Sequence, residues 1–385
     1  MYCKKMKKLI FVLLFAFPMV LKAADSCSLR ISIITCSPGL ELYSIFGHSA
    51  VRITDSLAET DIVYNYGTFD VSDPDFYIKF LKGKMNYFLS QQDFRNFAYS
   101  YYFDQRGVSE QELNLNCEEK HRFQQYIFHN MEGENRFYKY DFFYDNCTTR
   151  LRDMVEKLTN KSYSNGNIPQ ANHLSFRSAL HYYLDKGNMP WSKLGIDILL
   201  GTSADKEMTT REAMFLPDFL ESSLDHANYN KLPLVKEKAT ILKQLLPSGD
   251  SAMQIPLFIF STFAVFIFIT GLFKNKFFKT LTTVFDYILF FFVGTLGAVL
   301  MFMWFGTDHT VMGKNLNLLW AWPLHLPILF FLHSKSGFIK KYFLIYAIIQ
   351  VLILLFWIWL PQTLNPALIP IVMITTWRSW NIYKK

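Results

Sequence analysis

Tyr144-Asp145-Asn146-Cys147-Thr148-Thr149-Arg150 closes an aromatic, strand-like stretch (Phe137 to Tyr144) and opens a helical pattern that runs to Leu158. Asp145 or Asn146 is the cap. A thiol at the first turn of a helix sits where the backbone dipole and the free N–H groups favour the thiolate. Working outward, the nearest suitable base lies far upstream, at Phe46-Gly47-His48-Ser49. Downstream, the last third of the chain is strongly apolar. A reactive thiol on a membrane-tied domain points to chemistry on lipid.

Cys147 is one of five cysteines, with Cys3, Cys27, Cys36 and Cys117. Cys3 lies in a terminal segment that reads as an export signal. Lys4, Lys5, Lys7 and Lys8 form its basic start, Leu9 to Leu21 its apolar centre, and Ala23-Ala24 its end. Lys22 spoils the cleavage pattern, so an uncleaved anchor is the alternative. An exported compartment permits disulfides. The spacing shows no framework, and Cys27 with Cys36 is one possible pair. A free Cys147 in an oxidising space needs a task, whereas most free cysteines are small buried hydrophobes.

Composition divides the chain. Residues 25–250 are mixed polar, aromatic and charged and read as one exported domain; residues 251–385 read as a membrane domain. The net charge of +7 comes largely from lysines flanking apolar segments, and no nucleic-acid motif accompanies it. Four to five spans are expected: Ile255–Phe273, Leu281–Phe305, Leu316–Leu332, Tyr342–Leu360 and the short Pro366–Trp377. Basic clusters follow the first, third and fifth of these. That puts them on the cytoplasmic side, with the C-terminus, and the 25–250 domain outside the inner membrane. Asp286 and Arg378, near span ends, read as snorkelling side chains.

Within the exported domain, Arg30–Cys36, Ser49–Ile53 and Asp61–Tyr66 read as strands. Asp75–Leu89 and Asp93–Phe103 read as amphipathic aromatic helices. Asn116 with Glu119 opens a helix to Met131 through a capping box. Residues 165–250 read as short helices broken by Pro169, Pro190 and Pro217, ending in a helix over Lys231–Leu246.

A thiol nucleophile needs a base, and histidine serves near neutral pH. Among nine histidines, His48 has the suggestive setting: Gly47 permits close backbone approach and a strand follows. A third group should orient the imidazole. Asn65 and Tyr66 are candidates, as are Glu41 and Ser44, and nothing in the spacing selects among them. Backbone N–H groups near Cys147, with Asn146, are the candidate oxyanion donors. No metal-binding or glycine-rich phosphate motif is present, so no cofactor is expected. Asp308, His309, Asn315 and Asn317, in the loop between the second and third spans, are candidates to face the site.

Three runs carry a resemblance. Tyr43-Ser44-Ile45-Phe46-Gly47-His48-Ser49-Ala50-Val51-Arg52 is the first, Tyr64-Asn65-Tyr66-Gly67-Thr68-Phe69-Asp70 the second, and Tyr140 to Arg150 the third. Together they resemble the Lnb-type lipoprotein N-acyltransferases, which join an N-terminal periplasmic domain to a C-terminal membrane domain. Trp191–Gly201 and Met214–Pro217 also look like blocks of that family. The His-then-Cys order is similar to the circularly permuted papain-like (NlpC/P60) thiol enzymes. The resemblance implies an α+β periplasmic domain of that permuted kind, followed by an all-α membrane domain. It also implies transfer of an acyl chain from a membrane phospholipid to the α-amino group of the lipidated N-terminal cysteine of apolipoproteins, with Cys147 as nucleophile and His48 as base. A cell-wall peptidase or amidase, a phospholipase or thioesterase, and a non-enzymatic scaffold are the rival readings.

Overall fold

The computed structural model describes residues 27–70, 72, 74–159, 173–245, 255–332 and 334–385. The export segment read at 1–24 lies outside these residues, as do Pro169 and the expected domain boundary near 250.

Seven strands form one antiparallel sheet: β1 (Leu29–Cys36), β2 (His48–Asp55), β3 (Thr60–Thr68), β4 (Asn86–Asp93), β5 (Val108–Leu113), β6 (Phe137–Lys139) and β9 (Val235–Leu242). Their order is β6-β4-β3-β2-β1-β5-β9, and β7 (Asn228–Tyr229) pairs with β8 (Leu232–Pro233) separately. Strand β1 lies inside the sheet, between β2 and β5. Side chains alternate across a strand, and both sets on β1 are buried. Leu29, Ile31 and Ile33 join the main core, while Ile34 and Cys36 join a second cluster with Ala50, Val63 and Phe97. At roughly 1.5–3 kcal/mol for each fully buried aliphatic side chain, this strand anchors two layers at once.

Helices cover both faces. Helix α2 (Phe94–Phe103) closes the second cluster, after the short α1 (Phe76–Leu81). The main core is closed by α3 (Cys117–Met131), α4 (Cys147–Leu158), α5 (Phe176–Lys186) and α8 (Pro217–Asp225). Helices α6 (Pro190–Leu199) and α7 (Thr210–Ala213) lie between the last two. The capping box expected at Asn116 is present, its side chain accepting from the Glu119 N–H.

Several expectations change. Asn86–Leu89, read as the end of a helix, belongs to strand β4, because the backbone of Asn86–Asp93 completes the ladder between β3 and β6. Val235–Leu242, read as the last helix before the membrane, is the edge strand beside β5. The strand-like stretch Phe137–Tyr144 keeps only three residues in the sheet. Cys27 pairs with Cys117 rather than Cys36, tying the start of β1 to the start of α3. Cys36 is buried and free.

Among the described residues, three helices are long and apolar enough to cross a membrane: α9 (Ile255–Leu272), α10 (Lys276–Phe305), and α12 (Gly337–Phe356), which a 3-10 turn extends to Trp359. The third and fifth expected spans, Leu316–Leu332 and Pro366–Trp377, are not among these three. Leu316–Leu332 is broken into short turns and the four-residue α11 (His325–Ile328), with Pro323 and Pro327 in the sequence. The last segment is α13 (Ile369–Lys384), packed against α12 and α9. Asp286 and Arg378 do not snorkel. They form a buried two-pronged ion pair, Nε to Oδ1 at 2.6 Å and Nη2 to Oδ2 at 2.8 Å.

The two parts are joined through α6. A helix leaves its last carbonyls unpaired, and here side-chain amides from the membrane part meet them. Asn315 Nδ2 donates to the Ile198 and Leu199 carbonyls, Asn317 Nδ2 to those of Asp197 and Ile198, and Gln362 Nε2 to that of Leu200. Gly201 donates its N–H to the Val311 carbonyl at 2.8 Å. A Cβ at Gly201 would lie 1.8 Å from the Gly313 oxygen, so only glycine allows this approach.

Candidate active site

Three elements bring the site together. Strand β2 starts with His48, β3 carries Asn65, and α4 starts with Cys147 and packs across both strands. Asn146 is the cap: its side chain accepts from the Thr149 N–H at 2.8 Å, and the Thr149 hydroxyl accepts the Asn146 N–H at 2.8 Å. Its amide nitrogen is spent on the carbonyls of Phe142 and Phe215. Asn146 therefore fixes the helix start and has no N–H free for an oxyanion. The Cys147 backbone N–H, at the first helical position, belongs to the set that a helix leaves unpaired.

Just before His48, Gly47 has φ +78°, and a Cβ there would lie 2.7 Å from the Cys36 oxygen. A side chain at this position would push the histidine strand off β1.

The His48 ring sits between Asn65 and Cys147. Its Nε2–H donates to Asn65 Oδ1 at 3.1 Å. Burial alone would raise the Cys147 thiol. The His48 charge, the His48 hydrogen bond, the Ser49 backbone N–H and the Thr148 hydroxyl outweigh it and hold the thiol at about 7. Burial alone would lower His48. The facing Cys147 charge and hydrogen bond, with Asn65, outweigh it and raise His48 above its ordinary value. The pair thus favours thiolate and imidazolium. Cys36 is the contrast: burial pushes its thiol up to about 12, as expected of an inert core cysteine.

Among the candidates for the orienting group, Asn65 is the one in contact with the imidazole. The Tyr66 hydroxyl accepts from Asn130 Nδ2 at 2.7 Å, towards α3. Ser44 donates to the Glu41 carbonyl, and Glu41 is exposed.

His48, Asn65 and Cys147 line a cavity of about 990 Å³. Much of its wall is apolar, including Phe69, Phe80, Met85 and Phe215. The membrane part supplies another section, from Asp308 to Met312. This loop is pinned to the sheet domain: Asp308 pairs with Lys139 at 2.5 Å, His309 Nε2 reaches the Leu81 carbonyl at 3.2 Å, and Thr310 donates to Asp141 at 2.7 Å. Of the four loop candidates, Asp308 and His309 line the cavity, while Asn315 and Asn317 hold the α6 junction.

Reasoning from sequence missed Ser49 and Thr148, although each directly follows a singled-out residue. It also missed Arg106, which lines the cavity without any motif around it. The described residues contain one group of metal-ligand type, Cys27, Cys117 and His121, and the disulfide occupies two of its three members.

Fold and site together define a membrane-anchored α/β protein with a thiol–imidazole pair in a largely apolar cavity. Residues 16–179 match the family described as the Lnb N-terminal periplasmic domain, and residues 248–385 match the Lnb transmembrane domain. The chain belongs to the Lnb-type lipoprotein N-acyltransferase family, whose domain descriptions fit an inner-membrane protein with a periplasmic domain. No curated protein and no solved structure matched.

Proposed function

We propose that this protein takes an acyl chain from a membrane phospholipid and transfers it, through a thioester on Cys147, to the α-amino group of the diacylglyceryl-modified N-terminal cysteine of apolipoproteins. The observation that carries this reading is the Cys147–His48–Asn65 array inside a cavity walled jointly by the periplasmic domain and a membrane-domain loop. The order of histidine on an early strand and cysteine on a later helix also supports the permuted papain-like relation.

In this scheme the Cys147 thiolate attacks the acyl ester carbonyl. The Cys147 N–H helps to hold the oxyanion. The ester C–O bond breaks, and the leaving lysophospholipid oxygen takes the proton from His48. The lipoprotein amine then attacks the thioester, His48 accepts the proton that the amine sheds, and the C–S bond breaks to release amide and thiolate. Asn65 keeps the imidazole aligned throughout. The apolar walls exclude water, which would otherwise hydrolyse the thioester.

Mass spectrometry of lipoprotein N-terminal peptides tests this in cells that have no second such enzyme. Cys147→Ala is expected to leave lipoproteins with a free α-amine. Unchanged N-acylation would overturn the proposal. Altered muropeptides, or lysophospholipid and free fatty acid without any acceptor, would point to the peptidase or phospholipase reading instead.

A further inference from the structure

One cation in the cavity wall has no carboxylate partner among the described residues. Arg106 follows α2 and is only 9% exposed. Its Nε donates to the Ser37 carbonyl at 2.9 Å, and its guanidinium carbon lies 4.7 Å from the centre of the Tyr101 ring. Its Nη2 is buried with no hydrogen-bond partner. Arg106 forms no ion pair with any carboxylate among the described residues, including Asp104 on the same cavity wall. The other buried arginines among the described residues all have partners: Arg52 has Asp61 and Glu110, Arg152 has Asp153, Arg177 has Asp197 and Asp205, and Arg378 has Asp286. A buried, unpaired guanidinium is costly, and an anion entering the cavity would offset that cost.

The surroundings of Arg106 indicate which anion. Ser90, Gln92 and Ser100 give the cavity polar groups on the strand β4 and helix α2 side. Ile196, Leu200, Val311 and Met312 line it from the membrane junction. A cavity with polar and apolar contributions of this kind suits an amphipathic molecule that carries an anionic group beside its ester. Arginine is also the side chain best matched to phosphate oxygens.

We propose that Arg106 binds the phosphodiester of the acyl donor, seating the headgroup so that the ester carbonyl reaches Cys147. This rests on the acyl-transfer reading of the same cavity. It assigns the donor's charge to a residue outside the Cys147–His48–Asn65 array.

Binding to the full-length Cys147→Ala protein in neutral detergent tests the idea without requiring chemistry. The probes are dihexanoyl phosphatidylglycerol, uncharged dihexanoylglycerol and inorganic phosphate. Adding Arg106→Gln is expected to weaken the phospholipid roughly tenfold or more, as for a lost charged hydrogen bond, and to leave dihexanoylglycerol within about twofold. Arg106→Lys, which keeps the charge, should retain part of the preference for the phospholipid. Raising salt should weaken phospholipid binding to the Arg106 protein more than it weakens the neutral lipid, a readout that needs no variant at position 106. Equal loss of both lipids, or no loss of either, would overturn the proposal. Arg106-dependent binding of inorganic phosphate alone, with phospholipid indifferent to the substitution, would also overturn it. If instead the headgroup effect is found while wild-type protein never forms an acyl-enzyme, the acyl-transfer reading fails and the phosphate subsite stands.

Discussion

At the scale of single residues, the Cys147 environment sets a pH dependence. The thiolate is the reactive form, and His48 holds the thiol at about 7 against the opposing effect of burial. Alkylation by iodoacetamide should therefore climb about tenfold per pH unit below that value and level off above it. Replacing His48 by Gln removes the two largest lowering influences and leaves burial in place. The inflection should then move to higher pH. Mass spectrometry of the Cys147 peptide after timed alkylation reads both curves, and superimposable curves would contradict the pairing. Cys36 should resist the reagent in the folded protein, since it is buried and its thiol is pushed up to about 12.

At the scale of elements, what the sequence made legible followed local rules. The cap before Cys147, the capping box at Asn116 and the strands carrying His48 and Asn65 are written in neighbouring residues, and all are present. Misreadings occurred where distant chain decides. Val235–Leu242 has the lysines and alternation of a solvent-facing segment, and it becomes a strand only because β5 offers an open edge. Asn86–Asp93 lies between aromatic runs that look helical, yet β3 and β6 claim its backbone. The Cys27–Cys117 bond spans 90 residues, so spacing could not announce it. Asp286 and Arg378 lie 92 residues apart, so neither one's neighbours announce the pair. That pair clamps α13 to α10. Replacing Asp286 by Ala leaves a buried guanidinium unpaired, at a cost of about 3–5 kcal/mol. Thermal unfolding in detergent should show a lowered midpoint, and the double replacement Asp286→Leu with Arg378→Met should recover much of it. An unchanged midpoint for the single variant would show that the pair does not bear on stability.

At the scale of the whole molecule, the cavity depends on two domains staying in register. Side-chain amides of Asn315, Asn317 and Gln362 terminate α6, and the pinned loop from Asp308 to Thr310 then completes the wall beside Cys147. Replacing Asn315 and Asn317 together by Ala leaves buried carbonyls unpaired, at about 1–3 kcal/mol each. Hydrogen exchange should rise over residues 306–315 and at the end of α6, and acyl transfer should fall. The Cys147 alkylation profile should stay in place, because its partners lie within the sheet domain. A shift in that profile would mean that the membrane part also shapes the thiol. This division explains the mixed legibility of the site. The thiol, its base and the asparagine lie within recognisable runs, while the loop and Arg106 join them only through tertiary structure.

The central claim is a thioester on Cys147, and trapping it is the most direct test. Purified full-length protein is mixed with phospholipid in detergent, without any amine acceptor, and the Cys147 peptide is weighed. The account predicts one acyl chain on Cys147 with release of one lysophospholipid, discharged when a diacylglyceryl lipopeptide with a free α-amine is added. Acyl transfer to that lipopeptide with no acyl group ever found on Cys147, or undiminished in Cys147→Ala, would contradict it.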